Sequence, residues 1–543
     1  MLFSLLLTFF SKGSEIRPKM LDFFRVWWYS IVGENWAIYK NILTSAKKQQ
    51  EGEICHKANR EFGLDNKNTE KKTIGIPSAQ ELKEKLAAAR ASDAMARLKS
   101  LFDADTFVEL GAYTKRRFAE YHTDGSEEFE GVICGYGAVA GQPVFGFAQD
   151  SARMKGAFDA THAKKICDLY ELAIKNGAPV VGIFDCAGAD IFEGAAALAG
   201  YGRLMQAVSA ASGAIPQIAW ISGNCIGTFA AIAAMFDIAV TENGSNLYVA
   251  SPSLTGAETD EQSVLTACLA DGRESAAAYV RHALSFLPQN SGEGTIVENA
   301  ADDLNRLLGA MDPDGDVHEI IRVIADCGDF CEIGMGLAPE IVTVLTKIGG
   351  VRCGVLACNY TENKGRLTAM GARRAAHFVK LCDAFALPLV TLVNSEGFAV
   401  CADCEGAPFA ADLAKLAAAY AKADNAKITV VLRHGIGGAF AILGSKGIGA
   451  DIAYALEGAE IGAMNAASAV AFAKNNEITT ELTREELEEE WRAKLASPVC
   501  AASAGEIDDI VDMTELRQRI ASALLLLAVK GCLPTRRHSV LPL

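Results

Sequence analysis

One pattern occurs twice in this chain, and few folds can hold it. An apolar run short enough for a buried strand, Val180-Val181-Gly182-Ile183-Phe184, breaks into Asp185-Cys186-Ala187-Gly188-Ala189-Asp190 and passes into an Ala-rich helical stretch, Glu193 to Ser212. A second apolar run, Gln217 to Ser222, breaks at Gly223-Asn224-Cys225-Ile226-Gly227-Thr228. Further on, Leu389 to Val393 breaks at Asn394-Ser395-Glu396-Gly397-Phe398, a helical stretch spans Ala410 to Ala423, and Ile428 to Leu432 breaks at His434-Gly435-Ile436-Gly437-Gly438-Ala439-Phe440. Gly188 to Gly227 is 39 positions and Gly397 to Gly437 is 40. Strand, break, helix, strand, break at nearly equal spacing predicts a duplicated α/β domain. A strand that ends in small residues and feeds a helix leaves free backbone N–H groups at its end. Two such ends side by side offer two donors to one developing oxyanion.

The stretches around this pattern extend it. Ser78-Ala79-Gln80-Glu81 reads as a helix N-cap, with Leu82 to Leu98 helical behind it. Phe107 to Leu110 reads as a strand, and Val132 to Ala138 with Val144 to Phe147 as a hairpin around Gly141-Gln142-Pro143. Amphipathic helices over Asp159 to Asn176 and Gly371 to Phe385 lead into the two repeats. Residues 287–316, with Asp312-Pro313-Asp314-Gly315, read as the boundary between the halves. The expected domains are an N-terminal extension and linker over 1–77, a first domain over 78–300 and a second over 301–543.

Composition bounds the partners. A formal net charge of −16 argues against non-specific nucleic-acid binding, so a polyanionic ligand must find local cations or helix N-termini. The 15 Cys are scattered and odd in number, which predicts reduced thiols in a cytoplasmic setting and no metal site; Cys401 and Cys404, at CxxC spacing, come nearest to a metal pattern, but no second pair follows. Met1 to Phe10 is apolar but too short to span a bilayer, and Met20 to Leu43 is dense in aromatics. Two readings of residues 1–50 stand together: an interfacial helix with peripheral membrane contact, or a chain start placed upstream of the true one.

These residues carry a resemblance. His162-Ala163-Lys164-Lys165-Ile166, Gly177-Ala178-Pro179-Val180, Asp185 to Ala189, Glu193-Gly194, Leu198 to Tyr201 and Ser212 to Gln217 in the first half, with Ala375 to Phe385, Gly437 to Phe440, Ser445-Lys446, Gly449-Ala450-Asp451 and Ala459-Glu460-Ile461 in the second, resemble the carboxyltransferase subunits of biotin-dependent acyl-CoA carboxylases and decarboxylases. Arg97 to Leu98, Leu101 to Asp103 and Thr106 to Gly111 are similar to that family's opening, so the resemblance covers about residues 95–475. It implies two duplicated crotonase-like (ββα superhelix) domains. It also implies carboxyl transfer between an acyl-CoA of the acetyl, propionyl or methylmalonyl class and biotin on a separate carrier protein. Amides near Gly188, Ala189, Gly227 and Thr228 would then meet the thioester enolate, with Gly223 lining that side. Amides near Gly397, Phe398, Gly437, Gly438 and Ala439 would meet the biotin ureido oxygen, with Gly435 and Phe440 lining that side. Family sites lie between subunits, so a homo-oligomer is implied. The chain carries no Ala-Met-Lys-Met biotin acceptor and no ATP-grasp segment, so a biotinylated carrier and either a biotin carboxylase or a membrane decarboxylase subunit are implied as partners.

Departures from the pattern keep other readings open. Thr228 stands where many relatives have a second Gly, Thr259 to Arg273 lacks the family's His and Gly pair, and Glu396 to Cys401 replaces a Pro-Gly-Phe-Leu-Pro-Gly loop. These match a branch similar to the subunits of sodium-pumping decarboxylases, or an inactive scaffold homologue. A crotonase-like hydratase or isomerase is disfavoured, since Asn224 to Ala233 contains no Glu. Lys115-Arg116-Arg117 and Lys155 read equally as contacts to CoA phosphates or as a solvated basic loop. His162 reads as a packed or capping residue, His434 as part of a surface turn, Asp185 as a helix cap, Glu193 as an exposed first-turn acid and Lys446 as structural.

Overall fold

The computed structural model describes residues 78–530, apart from 117–128, 251–255, 257–266, 337, 401–404, 406–407 and 480. Residues 1–77, Arg117, most of the Thr259 to Arg273 segment, Cys401 and Cys404 therefore lie outside the described residues. The described residues belong to one unit, Ser78–Leu543.

The chain opens with the expected N-cap. Ser78 Oγ accepts from the Glu81 amide and the Glu81 carboxylate accepts from the Ser78 amide, a reciprocal capping box that starts helix α1, Ala79–Ala89. The single helix expected over Leu82 to Leu98 is instead two, with α2 at Asp93–Leu101. The break follows from tertiary bonding. Arg90 is buried at 7% exposure, pairs with Glu109 at 2.8 Å and donates to Glu130 O at 3.2 Å, and holding it there ends α1.

Sixteen strands form two sheets among the described residues. The first runs β1 (Val108–Leu110), β2 (Val132–Val139), β3 (Gln142–Gln149), β4 (Val180–Cys186), β5 (Gln217–Ile226), β6 (Ile238–Glu242) and β8 (Ala267–Ala270), with β7 (Asn246–Tyr248) pairing the end of β5. The second runs β9 (Phe330–Glu332), β10 (Ile341–Ile348), β11 (Val351–Cys358), β12 (Leu389–Ser395), β13 (Lys427–Ile436), β14 (Ile452–Leu456) and β16 (Asp509–Val511), with β15 (Glu460–Gly462) pairing the end of β13. In each, an antiparallel hairpin leads into parallel strands reached through helical crossovers. The crossovers are α3 (Ala160–Asn176) and α4 (Ala195–Ala211) in the first half. Later in the chain come α5 (Arg273–Phe286) and α6 (Val317–Ile324), followed by the second-half crossovers α7 (Ala369–Ala384) and α8 (Pro408–Lys422), and finally α9 (Leu516–Leu527). The duplicated α/β architecture expected from the repeat is thus present. All four central strands run two to four residues past their apolar runs, into the breaks themselves.

Side chains alternate across the parallel strands. Val180 and Phe184 meet α3 and α4, whereas Val181 and Ile183 face the other way. The outer face of the second sheet, with Val390 and Leu392, packs on α6 and α9. Between the sheets a shared cluster runs from Val181 and Trp220 through α2 and α5 to α7, α8 and Leu389. Residues 287–316 contain no helix or strand, yet they are anchored: Glu298 pairs with Lys347 and Arg352, each at 2.6 Å.

Candidate active site

The two strand ends of each half lie side by side. Cys186 pairs with Cys225 across β4 and β5, so Gly188 and Gly227, each two residues on, stand next to each other. Ser395 pairs with Gly435 across β12 and β13, which sets Gly397 beside Gly437. Both pairs have a register shift just before the end. The backbone repeats closely: φ is +121° at Gly188 and +118° at Gly397, +63° at Gly227 and +65° at Gly437. L side chains rarely take these angles, which is why glycine recurs there. A parallel bridge closes each turn, with Phe158 N–H donating to Gly188 O at 2.9 Å and Leu367 N–H to Gly397 O at 3.0 Å.

Counting hydrogen bonds decides which amides are available. Gly188 N–H donates to Cys186 Sγ at 3.3 Å, and Gly397 N–H donates to Ser395 Oγ at 3.2 Å. Gly227 N–H donates to Tyr248 O at 3.0 Å. These glycines shape the turns with their amides already engaged. The next amides along, those of Ala189, Thr228 and Phe398, have no acceptor among the described residues. Thr228 and Gly437 open the short helices Thr228–Ala233 and Gly437–Ile442, whose first turns have no side-chain cap. Gly437, Gly438 and Ala439 therefore present first-turn amides beside Phe398.

Side-chain bulk is exchanged between the halves. A Cβ on Gly438 would stand 2.7 Å from the Phe398 ring. The corresponding residues of the first half are Thr228 and Ala189, so the larger side chain has moved to the other strand end. Thr228 is accordingly matched by a smaller partner. Phe229 is fully buried among Phe158, Tyr201 and Phe184, with ring centroids 5.1, 5.3 and 6.0 Å away, and supports the turn from below.

Gly223 and Gly435 lie inside their strands. A Cβ on Gly223 would meet Asp185 Oδ1 at 2.3 Å, and one on Gly435 would meet Val431 at 3.2 Å and the Phe440 ring at 3.5 Å. Asp185 caps no helix: its Oδ1 accepts from the Asn224 amide at 3.0 Å and ties β4 to β5. Asn394 makes the same tie in the second half, accepting from the His434 amide at 3.0 Å. Glu193 accepts from the Ala160 amide at 2.8 Å and so caps α3. Arg116 is enclosed by Asp159 at 3.2 Å and Asp190 at 2.5 Å, which removes it from the loop cations open to a phosphate. Lys155 remains exposed, and Lys446 pairs with Asp508.

His162 is fully buried at the start of α3, near Glu130 at 3.3 Å and Gln149 at 3.3 Å, and packs as expected. Burial opposes the charge of Glu130, but His162 and Arg116 hold its carboxyl below the usual range. Burial, with the Glu130 charge behind it, pushes Asp159 up to about 6. His434 belongs to no surface turn: it is half-buried and stacks on Tyr360, centroids 4.8 Å apart at 18°. Glu396, beside it, accepts from Lys364 at 3.0 Å, Arg366 at 2.7 Å and the Tyr360 hydroxyl at 3.1 Å. Composition and spacing did not single out Cys186, Ser395, Asn394, Glu396 or Tyr360. Superposing the halves in sequence, with Gly188 on Gly397, would have drawn attention to them.

A family model for the carboxyl transferase domain matches residues 91–541. The propionyl-CoA carboxylase beta chain of Roseobacter denitrificans is 33% identical over 474 residues, covering 82% of this chain and 93% of that one. The methylmalonyl-CoA carboxyltransferase 12S subunit of Propionibacterium freudenreichii is 32% identical over 474 residues, 82% and 90% respectively. The methylmalonyl-CoA decarboxylase subunit alpha of Propionigenium modestum is 33% identical over 491 residues, 85% and 95%. Among solved structures, the transcarboxylase 12S hexamer with methylmalonyl-coenzyme A bound superposes with a TM-score of 0.76 at 30% identity, covering 85% of this chain and 95% of that one.

Proposed function

This chain belongs to the carboxyl transferase family, a crotonase-like biotin-dependent carboxyltransferase by fold and class, and from that premise we propose which of its residues do the work. The chain moves a carboxyl group between an acyl-CoA of the propionyl or methylmalonyl class and biotin on a separate carrier protein. The observation that carries the residue assignment is the matched pair of strand ends, each with amides that lack an acceptor among the described residues.

The first half, residues 78–300, takes the acyl-CoA. The amides of Ala189 and Thr228 meet the thioester oxygen as it gains charge, while Gly188 and Gly227 hold the turns and Gly223 leaves room for Asp185. The second half, residues 301–543, takes carboxybiotin. The amides of Phe398 and of Gly438, with Gly437 and Ala439 in the same first turn, meet the biotin ureido oxygen, and Gly435 and Phe440 pack beneath them. Donors already aimed at developing charge need no reorganisation during reaction, and losing one such donor costs roughly 100–1,000-fold in rate. The balance is simple. Carboxylation breaks the ureido N–C bond, forms a C–C bond at the acyl α-carbon, and returns the α-proton to the ureido nitrogen. Decarboxylation crosses the same transition state in reverse, so one arrangement of amides serves carboxylase and decarboxylase relatives alike.

The two pairs of strand ends sit on separate sheets. Family sites form between the first half of one subunit and the second half of another, so the working unit is a homo-oligomer; the solved transcarboxylase 12S relative is a hexamer. Its partners are a biotinylated carrier and either a biotin carboxylase or a membrane decarboxylase subunit. The proposed setting is the cytoplasm, as the scattered cysteines argue, with any membrane contact made through such a partner; among the described residues no helix is long and apolar enough to cross a membrane. The test is biotin-dependent decarboxylation of malonyl-CoA or methylmalonyl-CoA by the purified chain. Turnover that rises with biotin is expected. A folded protein that binds CoA thioesters but shows no biotin-dependent turnover would sink the catalytic reading in favour of a scaffold.

A further inference from the structure

The second half contains a set of side-chain contacts with no counterpart among the described residues of the first. We propose that Tyr360, Glu396 and His434 form a positioning bridge that holds the two strand ends of the second half in register, an inference that rests on reading those ends as the biotin-side amide pair.

Glu396 stands immediately before Gly397, and its side chain is only 9% exposed. Its Oε1 accepts from the Tyr360 hydroxyl at 3.1 Å and from Lys364 Nζ at 3.0 Å, and its Oε2 accepts from Arg366 Nη2 at 2.7 Å. Its own amide donates to Lys364 O at 3.2 Å. Backbone and side chain are thus gripped by one short segment. Tyr360, at the start of that segment, lies flat against His434, whose ring plane is within 18° of parallel. His434 precedes Gly437 by three residues on β13, and its amide donates to Asn394 Oδ1 at 3.0 Å. Asn394 in turn donates to Pro313 O at 2.8 Å and to Asp314 Oδ1 at 3.0 Å. The contacts therefore close a ring from β12 through residues 360–366 to β13 and back to β12.

The first half lacks this ring by composition. The residues in the places of Tyr360, Lys364, Arg366, Glu396 and His434 are Ser151, Lys155, Ala157, Ala187 and Asn224. Two ties are shared, the strand-end amide to Asp185 and the Ala187 N–H to Lys155 O at 3.1 Å, whereas the side-chain contacts of Glu396, Tyr360 and His434 are not. Stability alone does not account for the difference. Lys364 and Arg366 are 57% and 36% exposed, and ion pairs of that kind contribute about 0–1 kcal/mol. Placement does: a shift of about 1 Å in a catalytic group is enough to lose roughly a hundredfold in rate. Burial opposes ionisation of Glu396, but Lys364, Arg366 and Tyr360 outweigh it and hold the carboxyl below the usual range, so the bridge stays charged at neutral pH.

The experiment uses the full chain with free biotin and a CoA thioester, comparing Glu396→Ala, Glu396→Gln and Tyr360→Phe. Glu396→Ala should lower biotin-dependent kcat by about ten- to a hundredfold, leave KM for the thioester unchanged and leave the unfolding midpoint close to wild type. Glu396→Gln, which keeps Oε1 as an acceptor, should recover most of the rate, and Tyr360→Phe should fall between. Amide hydrogen exchange gives a readout independent of turnover: Glu396→Ala should speed exchange in peptides over both 389–400 and 427–440 and leave 180–190 unchanged. Faster exchange confined to 389–400, or a Gln variant as slow as the Ala variant, would overturn the bridge. If wild-type protein shows no biotin-dependent turnover, the catalytic reading fails, while the exchange pattern still decides whether the bridge exists.

Discussion

Gly438→Ala adds one methyl group at a point where the two halves of the molecule differ. The new Cβ would stand 2.7 and 2.9 Å from Cε2 and Cζ of the Phe398 ring. Carbon atoms pack best at about 3.5–4.0 Å, so one group must move by about 1 Å. The ring can leave only by disturbing its edge-on contact with Phe409, at 6.1 Å between centroids and 79° between planes, or by carrying its own backbone with it. The amide of that residue is the proposed donor. Overpacking of this kind costs about 1–3 kcal/mol, and if half of it, about 0.5–1.5 kcal/mol, falls on the amide the rate drops by about two- to tenfold. The first half contains the remedy, since Ala189 and Thr228 occupy the same two places. Gly438→Ala should therefore lower biotin-dependent kcat about two- to tenfold and reduce the unfolding free energy. Adding Phe398→Ala should return part of both losses, with a coupling energy of about 1 kcal/mol in a double-mutant cycle. Wild-type behaviour of Gly438→Ala, or effects additive to within about 0.5 kcal/mol, would refute the reasoning.

Three further outcomes follow from the same geometry. Gly437→Val places a β-branched side chain at φ +65°, with the Ala463 carbonyl 3.4 Å from its Cβ; biotin-dependent turnover should be abolished while thioester affinity, measured by calorimetry, is retained, and equal loss of both would contradict the assignment of two sites. Cys186 Sγ caps the Gly188 amide as Ser395 Oγ caps Gly397; Cys186→Ser should stay near wild type, whereas Cys186→Ala should lose about 0.5–1.5 kcal/mol, read as kcat/KM for the thioester. Burial pushes the Cys186 thiol up to about 12, so it should also resist alkylation in the folded protein at pH 9. His318 is raised to about 9, chiefly by its bond to Glu332 and then by Asp316. A group whose folded value lies above its unfolded value stabilises below the unfolded value and loses that contribution as pH rises through the folded one. His318→Gln should therefore lower the unfolding midpoint at pH 6, with the difference from wild type vanishing by pH 10.

The repeat in the sequence carried the architecture because strand, break and helix each have a local signature, and local signatures need no tertiary context. Ser78 with Glu81 was legible as a cap for the same reason, whereas Asp159, read as part of the helix, is the residue that caps α3. What escaped was whatever depends on a distant partner. The helix through Leu82 breaks because Arg90 reaches Glu109, and no periodicity announces that. Arg116 reads as a loop cation until Asp159 and Asp190 are seen around it. His434 reads as a turn residue until Tyr360 is placed against it. Thr228 reads only as a departure from Gly until the folded pair shows its bulk traded against residue 189. The glycines at the strand ends were found, but their role was sharpened: they supply the turn, and their neighbours supply the open amides.

The core shared by both sheets has a consequence for genetics. Val280, Ala283 and Phe286 of α5 lie in the same cluster as Leu345, Phe378 and Leu389, Tyr279 donates to Glu332 O at 2.9 Å, and His377 Nε2 lies 2.8 Å from Asp237 O. A fragment ending near residue 300 would leave that face in water, at roughly 1.5–3 kcal/mol for each large apolar side chain. The two halves should therefore unfold together, in one calorimetric transition. A lesion in the shared core should destabilise both halves at once. If the two strand ends divide acyl-CoA and biotin as proposed, alleles that separate the two functions should map to those ends and their immediate supports.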